Sequence, residues 1–173
     1  MQRVSVVGNS GAGKTRIAAE LAARLVVPHL ELDAVFHQPN WAPLSAEEFR
    51  RAAASAIAAD SWVIDGNYSA VRDLVWQRSD TVVWLDLSRT IVMRQLLART
   101  LRRMATRTEL WNGNRESLRN LLDKDESIIA WAWNNQAKYR EQYAGAAADP
   151  AFRHLSFVRL TSRAEIRRFL DGL

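Results

Sequence analysis

Apolar residues follow two rhythms along this chain of 173 residues. Short, largely β-branched or aromatic runs occur at Arg3-Val4-Ser5-Val6-Val7, Ser61-Trp62-Val63-Ile64, Thr81-Val82-Val83-Trp84-Leu85 and Leu155 to Leu160. Each is too brief for a helix, and the first three are bounded by glycine or aspartate, as strands buried on both faces are. His29-Leu30-Glu31-Leu32-Asp33 reads as a further short strand with an acid at its carboxyl end. Between these runs the spacing changes to three and four residues: Arg16 to Leu25, a stretch to about Ala59, Arg89 to about Ala105, Lys124 to about Ala144, and the C-terminal residues. Ser45 with Glu48, and Ser162 with Glu165, are capping boxes that open two of these helices, and Ser88 caps another. Strands alternating with helices predict an α/β fold with a parallel sheet covered on both faces and right-handed crossovers. At this length one domain, 1–173, is expected.

The junction of the first strand and first helix carries Gly8-Asn9-Ser10-Gly11-Ala12-Gly13-Lys14-Thr15, which fits G-x-x-x-x-G-K-[ST] without a mismatch. Glycines let the backbone wrap a di- or triphosphate with its N–H groups pointing inward, and the helix adds its positive end. Lys14 can reach the β- and γ-phosphates, and the Thr15 hydroxyl is placed to ligate Mg²⁺. In open α/β sheets ligands gather outside the carboxyl ends of the strands, where Asp33, Asp65 and Asp86 stand. Asp33 is a catalytic or substrate-binding candidate, or an aspartate that caps the following turn. Asp65 is the first candidate for Mg²⁺ because Gly66, Asn67, Tyr68 and Arg72 surround it in sequence; Asp86 is its competitor. Ala34 to Leu44 reads as an irregular aromatic loop in which Phe36, His37 and Trp41 either form a substrate pocket or seal the core's edge.

In the helix from Arg89, Met93, Leu97, Leu101 and Met104 share one face, while Arg99, Arg102 and Arg103 share the other. The apolar face is expected to dock and the arginine face to remain free. Arg107, Arg115 and Arg119 follow across a segment whose Trp111-Asn112-Gly113-Asn114 reads as a mobile turn. A loop of arginines beside a triphosphate can close over it, neutralise developing charge and shut out water. Net charge is +5, and lysine occurs only at positions 14, 124 and 138, so the basic character is arginine's. Guanidinium groups suit phosphorylated ligands and equally nucleic acid, although plain arginine usage accounts for the bias as well. Cysteine is absent, which excludes disulfides and thiolate metal sites. No stretch is long and apolar enough to span a bilayer, and a soluble, cytoplasmic protein is the expectation.

Taken together, Gly8 to Thr15, the His29 to Asp33 run with Trp41 after it, Asp65-Gly66-Asn67-Tyr68-Ser69 and Glu109 to Glu116 around Trp111-Asn112-Gly113-Asn114 resemble the small adenylate-kinase-like P-loop kinases. The Trp-Asn-Gly-Asn signature resembles in particular the branch named DNA topology modulation proteins. The resemblance implies a three-layer P-loop sandwich with a five-stranded parallel sheet in order 2-3-1-4-5, and a helical lid at about residues 99–124. It implies ATP and Mg²⁺ as donor, bound by Gly8 to Thr15, and an acceptor segment at about 33–60. Asp33 would match the acid of that segment, Asp65-Gly66 the Asp-Gly of the third strand, and Arg99, Arg103 and Arg107 the lid arginines. Adenylate kinases follow Asp-Gly with Phe-Pro-Arg; here Asn67-Tyr68-Ser69 stands instead and Arg72 is the nearest arginine.

The reaction these residues suit is phosphoryl transfer from Mg-ATP to a small acceptor, with Lys14, Asp33, Arg99 and Arg103 as catalytic candidates and Asp33, Trp41 and Arg72 facing the acceptor. A phosphate acceptor needs only cationic clamps, for which Arg50, Arg51 and Arg72 are available; a hydroxyl acceptor benefits from a carboxylate base. The alternative is a nucleotide-dependent regulatory protein or ATPase that uses its basic face on DNA or RNA, which no recognition motif supports.

Overall fold

The computed structural model describes residues 1–106, 108–115 and 128–173. Its strands are β1 (Arg3–Gly8), β2 (His29–Glu31), β3 (Trp62–Asp65), β4 (Thr81–Leu85) and β5 (Ser156–Leu160). All pair in parallel in the order β2-β3-β1-β4-β5. The helices are α1 (Lys14–Leu25), α2 (Leu32–Phe36), α3 (Ala46–Ala56), α4 (Ser69–Arg78), α5 (Arg89–Ala105), α6 (Ile128–Ala148) and α7 (Arg163–Asp171).

Alternation along each strand builds two cores. Val4, Val6, Val63, Val83 and Leu85 face one side, where they meet Ile17 and Leu21 of α1, Val92 of α5, and Ile166 and Leu170 of α7. Val7, Trp62, Ile64, Val82 and Trp84 face the other, against Phe49 and Ala53 of α3, Val71, Val75 and Trp76 of α4, and Tyr143 of α6. Each such aliphatic or aromatic side chain contributes about 1.5–3 kcal/mol on burial. The carboxyl ends of β1, β3 and β4 therefore emerge between two well-anchored helical layers, and the candidate functional groups sit there.

Three expectations are corrected. β2 stops at Glu31, and Leu32 to Phe36 form a helical turn and a half, so Asp33 lies in the first turn of α2 and not on a strand. The reason is Leu32, buried over Gly66: a Cβ at Gly66 would lie 2.7 Å from that of Leu32, and the backbone there has φ 143°. Glycine permits both, and the chain turns into a helix to place Leu32 there. Second, α5 docks through Val92, Leu96 and Thr100, leaving Leu97 44% and Leu101 50% exposed. At 100° per residue, Arg99 and Arg103 fall in the same arc of about 60° as Val92 and Leu96. The stripe that carries these two arginines is thus the docking one, whereas Arg102 is exposed. Third, the Ser162 cap is only half of a box: its hydroxyl accepts from Glu165 N, but the Glu165 carboxylate accepts from Thr161. The Ser45–Glu48 box is complete.

Among the described residues no helix is long and apolar enough to cross a membrane. Arg107, Arg119 and positions 116–124 of the expected lid lie outside the described residues, as do the first residues of the helix expected from Lys124. That helix continues to Ala148.

Candidate active site

Gly8 to Gly13 form a tight loop between β1 and α1, with Gly11 and Gly13 at φ 85° and 94°. A Cβ at Gly11 would meet Leu96 Cβ and the Val92 carbonyl at 2.8 Å, so only glycine lets α5 lean on the loop. The loop is pinned from several sides. Ala12 N donates to Asn9 O at 3.1 Å, Ser10 N to Asn9 Oδ1 at 2.8 Å, and Lys14 Nζ to Asn9 O at 3.2 Å. Asn9 Nδ2 donates to Ala132 O at 2.7 Å and to Gln136 Oε1 at 3.1 Å, while Gln136 Nε2 donates to Leu87 O at 2.8 Å. Asn67 brackets Gly8, its Nδ2 donating to the Gly8 carbonyl and its Oδ1 accepting from Gly8 N at 3.3 Å and Tyr143 Oη at 3.0 Å. With its amide oriented to satisfy both neighbours, Gln95 donates to Gly11 O at 2.9 Å and accepts from Arg163 at 3.2 Å.

Lys14 and Thr15 open α1 beneath this loop. Removal from water pushes the Lys14 ammonium below its ordinary value, with Asp33 and Asp65 opposing and Arg99 reinforcing that shift. Those influences place Arg99 and both aspartates in the surroundings of one ammonium group. Arg103 lies one turn further along the same stripe of α5, half-buried.

Thr15 Oγ1 donates to Asp65 Oδ1 at 3.1 Å, and His29 Nε2 lies 2.8 Å from Asp65 Oδ2. A carboxylate only accepts, so His29 carries its hydrogen on Nε2. Asp65 is 3% exposed. Asp86, the competitor, is engaged elsewhere: Arg140 Nε donates to its Oδ1 at 2.8 Å, and Arg159 donates to its Oδ2 through Nε at 2.9 Å and through Nη2. An alcohol and a carboxylate side by side under a phosphate loop are hard oxygen donors of the kind Mg²⁺ takes. Among the described residues no cluster of three histidines or acids could hold a metal unaided. That fits a cation that keeps water and phosphate oxygens as most of its ligands.

In the segment where acceptor binding is expected, Tyr68 Oη donates to Asp33 Oδ1 at 2.7 Å and lies 3.3 Å from His37 Nε2. Burial, with the Asp33 charge and hydrogen bond adding to it, pushes the Tyr68 phenol far upward, so Tyr68 keeps its proton and serves as a donor. Phe36, His37 and Tyr68 pack edge to face and tilted at 4.8–5.1 Å, and His37 meets Trp41 at 5.2 Å. Trp41 does not stand alone as a pocket wall: its backbone N donates to Asn114 Oδ1 at 2.8 Å and its indole N–H to Arg115 O at 3.3 Å. Arg72 lines a cavity with room for about one water, bounded by Leu32, Gly66, Asn67, Tyr68, Trp76 and Tyr143, with its guanidinium 5.7 Å from the Trp76 ring. Arg50 forms a two-pronged bond to Asp73 at 2.7 Å, and Arg51 pairs with Glu47 at 2.9 Å.

Sequence reasoning missed His29, Glu31, Gln136 and Gln95. Gln136 carries a readable signal, a lone amide on the stripe of Ala132, Tyr139 and Tyr143 that α6 turns inward. His29 and Glu31 carry none, because their partners Asp65 and Trp111 are 36 and 80 residues away.

No protein-family model and no curated protein matches the sequence. Solved structures do. The chain is similar to shikimate kinase from Bacteroides thetaiotaomicron (15% identity, 99% of this chain and 95% of that one, TM-score 0.59). It is similar to shikimate kinase from Acinetobacter baumannii in complex with shikimate (16%, 99% and 90%, TM-score 0.58). A gluconokinase from Sinorhizobium meliloti 1021 also matches (16%, 99% and 94%, TM-score 0.51). The fold is that of the P-loop kinases.

Proposed function

We propose that the protein is an ATP-dependent kinase that transfers a phosphoryl group to a hydroxyl on a small acceptor. The observation that carries this reading is that the Asp33 and Asp65 charges both act on the buried Lys14 ammonium, with Asp33 held by Tyr68 and two of the three candidate phosphate clamps, Arg50 and Arg51, committed elsewhere. Arg50 and Arg51 are committed to Asp73 and Glu47 on exposed surface. A pocket furnished with a carboxylate and aromatic rings suits an alcohol better than an anion. The similar structures act on hydroxyl compounds by their names, shikimate, gluconate and sugar, which supports the same direction.

In this reading the Gly8–Thr15 backbone and Lys14 bind the phosphates of ATP, and Thr15 with Asp65 would hold Mg²⁺, which when bound withdraws charge from the phosphate oxygens. Tyr68 donates to Asp33 Oδ1 and so orients the carboxylate, leaving Oδ2 for the acceptor. Asp33 takes the acceptor's proton as the new oxygen–phosphorus bond forms and ADP departs. Arg99, and Arg103 beyond it, offset the charge that develops on the transferred group. The Trp-Asn-Gly-Asn turn is the feature by which the chain resembles the DNA topology modulation branch, and it supports membership there.

A panel of alcohols, sugars, sugar acids, nucleosides and nucleoside monophosphates, assayed for ADP release above background hydrolysis, tests the proposal. Turnover with a hydroxyl compound is expected. Turnover confined to a nucleoside monophosphate, or stimulated only by DNA, would overturn it.

A further inference from the structure

The segment from Glu31 to Trp41 is gripped along its length by a distant turn, Trp111 to Asn114. Trp111 Nε1 donates to Glu31 Oε2 at 2.8 Å. Asn112 Nδ2 donates to the carbonyls of Ala34 at 3.2 Å and His37 at 2.5 Å. Asn114 Nδ2 donates to Gln38 O at 2.9 Å, and its Oδ1 accepts from Trp41 N at 2.8 Å. Each of the two asparagines thus makes two bonds to one short stretch of main chain. Trp111 also stacks on His37, the rings 6.3 Å apart and inclined by 20°.

Both partners are shaped for this grip. Asn112 and Gly113 have φ 55° and 79°, conformations natural to those two residues, and the turn is closed by Leu110 N donating to Asn114 O at 2.7 Å. On the gripped side Asn40 and Trp41 have φ 61° and 60°. For tryptophan that conformation is strained, and it persists only where surroundings impose it. The groups that impose it are Asn114 on its amide and the Arg115 carbonyl on its indole.

From the turn a continuous chain of contacts runs to the candidate base. Asn112 holds the His37 carbonyl, and His37 Nε2 faces Tyr68 Oη, which donates its one hydrogen to Asp33. His37 must therefore donate through Nε2, which fixes its tautomer.

We propose that the Trp111–Asn114 turn is a positioning device for the acceptor site: it clamps Glu31 to Trp41 in the geometry that aims Asp33, through His37 and Tyr68. The proposal rests on the kinase reading for its catalytic consequence and on the hydrogen bonds alone for its structural one. Two arms of one experiment keep these apart. In the first, hydrogen–deuterium exchange compares wild type with Asn112→Ala/Asn114→Ala. The amides of Gln38, Trp41 and Leu44 should exchange at least about tenfold faster while those of β1, β3 and β4 are unchanged. Unchanged exchange at the three amides would overturn the clamp. Should the double variant lose protection throughout, Asn114→Ala alone is read by the same criterion at Trp41. In the second arm, the best hydroxyl acceptor of the panel is used. The double variant should lower kcat about tenfold or more with the KM for ATP unchanged, and should add little in an Asp33→Asn background. Losses that multiply in full would mean a structural role only, and would overturn the positioning of Asp33. If no acceptor is turned over, the kinase reading fails and the exchange arm still decides the clamp.

Discussion

Thr15 and Asp65, fifty positions apart, meet through a hydrogen bond of 3.1 Å from the threonine hydroxyl to the carboxylate, while Asp86 is tied to two arginines. Two strand-end aspartates that look alike in sequence thereby separate by environment. Asp65→Asn is expected to raise the Mg²⁺ concentration needed for half-maximal turnover by about tenfold or more, with a small change in thermal stability. Asp86→Asn should do the reverse. It leaves two half-exposed guanidinium groups without their anion, at a cost of about 1–3 kcal/mol, and leaves the Mg²⁺ dependence alone. Thermal melts and Mg²⁺ titrations of both variants check the pair.

Lys14 carries a stability signature that depends on pH. Its folded-state pKa lies below the ordinary 10.5, so the unfolded chain binds more protons between the two values and stability rises with pH across that window. Below the folded value the full cost of the buried charge is present. Lys14→Met should therefore be more stable than wild type at neutral pH, and the difference should shrink as pH approaches 10.5. Denaturant melts between pH 7 and 10 read this directly. The same substitution should reduce turnover by at least about 10²-fold.

Replacing Asp33 with Asn keeps the size of the side chain and removes its basicity. The expected loss is about 10²–10⁴-fold in kcat, with nucleotide affinity retained. Tyr68→Phe, which deletes the donor to Asp33 Oδ1, should give a smaller loss in kcat. A rise in acceptor KM alone for Asp33→Asn would argue for binding and against proton transfer.

Gly11→Ala tests the seat of α5 on the phosphate loop. The added methyl would lie 2.8 Å from both Leu96 Cβ and the Val92 carbonyl, on a backbone with φ 85°. Destabilisation by about 1–3 kcal/mol is expected, which for a chain of this size lowers Tm by roughly 2–4 °C per kcal/mol. Calorimetry provides the check.

The sheet was legible because its order of apolar runs and turn residues is local, and the phosphate loop because its pattern is contiguous. Asp33 was legible as a candidate but not as a helical residue, since the reason β2 ends at Glu31 is Leu32 packing on Gly66, thirty-four positions on. The docking face of α5 was misread because apolar residues lie on both sides of that helix, and only the contact of Val92 and Leu96 with Gly11 decides between them. Trp111 to Asn114 stood out as a turn, yet a turn's own spacing says nothing about which distant carbonyls its amides will meet. Sequence patterns report periodicity and local chemistry; the partners of a polar side chain depend on packing that has no local signal.

Asn9 sits in the phosphate loop, but two acceptors that hold its amide, Ala132 O and Gln136 Oε1, are 123 and 127 positions later. Closing so long a stretch costs chain entropy before any contact repays it. During synthesis the sheet strands β1 to β4 can pair while this anchor is still absent, so the phosphate loop acquires its final support after most of the fold around it has formed. Nucleotide affinity should therefore appear late in folding, as a step that follows the burial of Trp62, when refolding is followed by intrinsic fluorescence and by a labelled nucleotide in parallel.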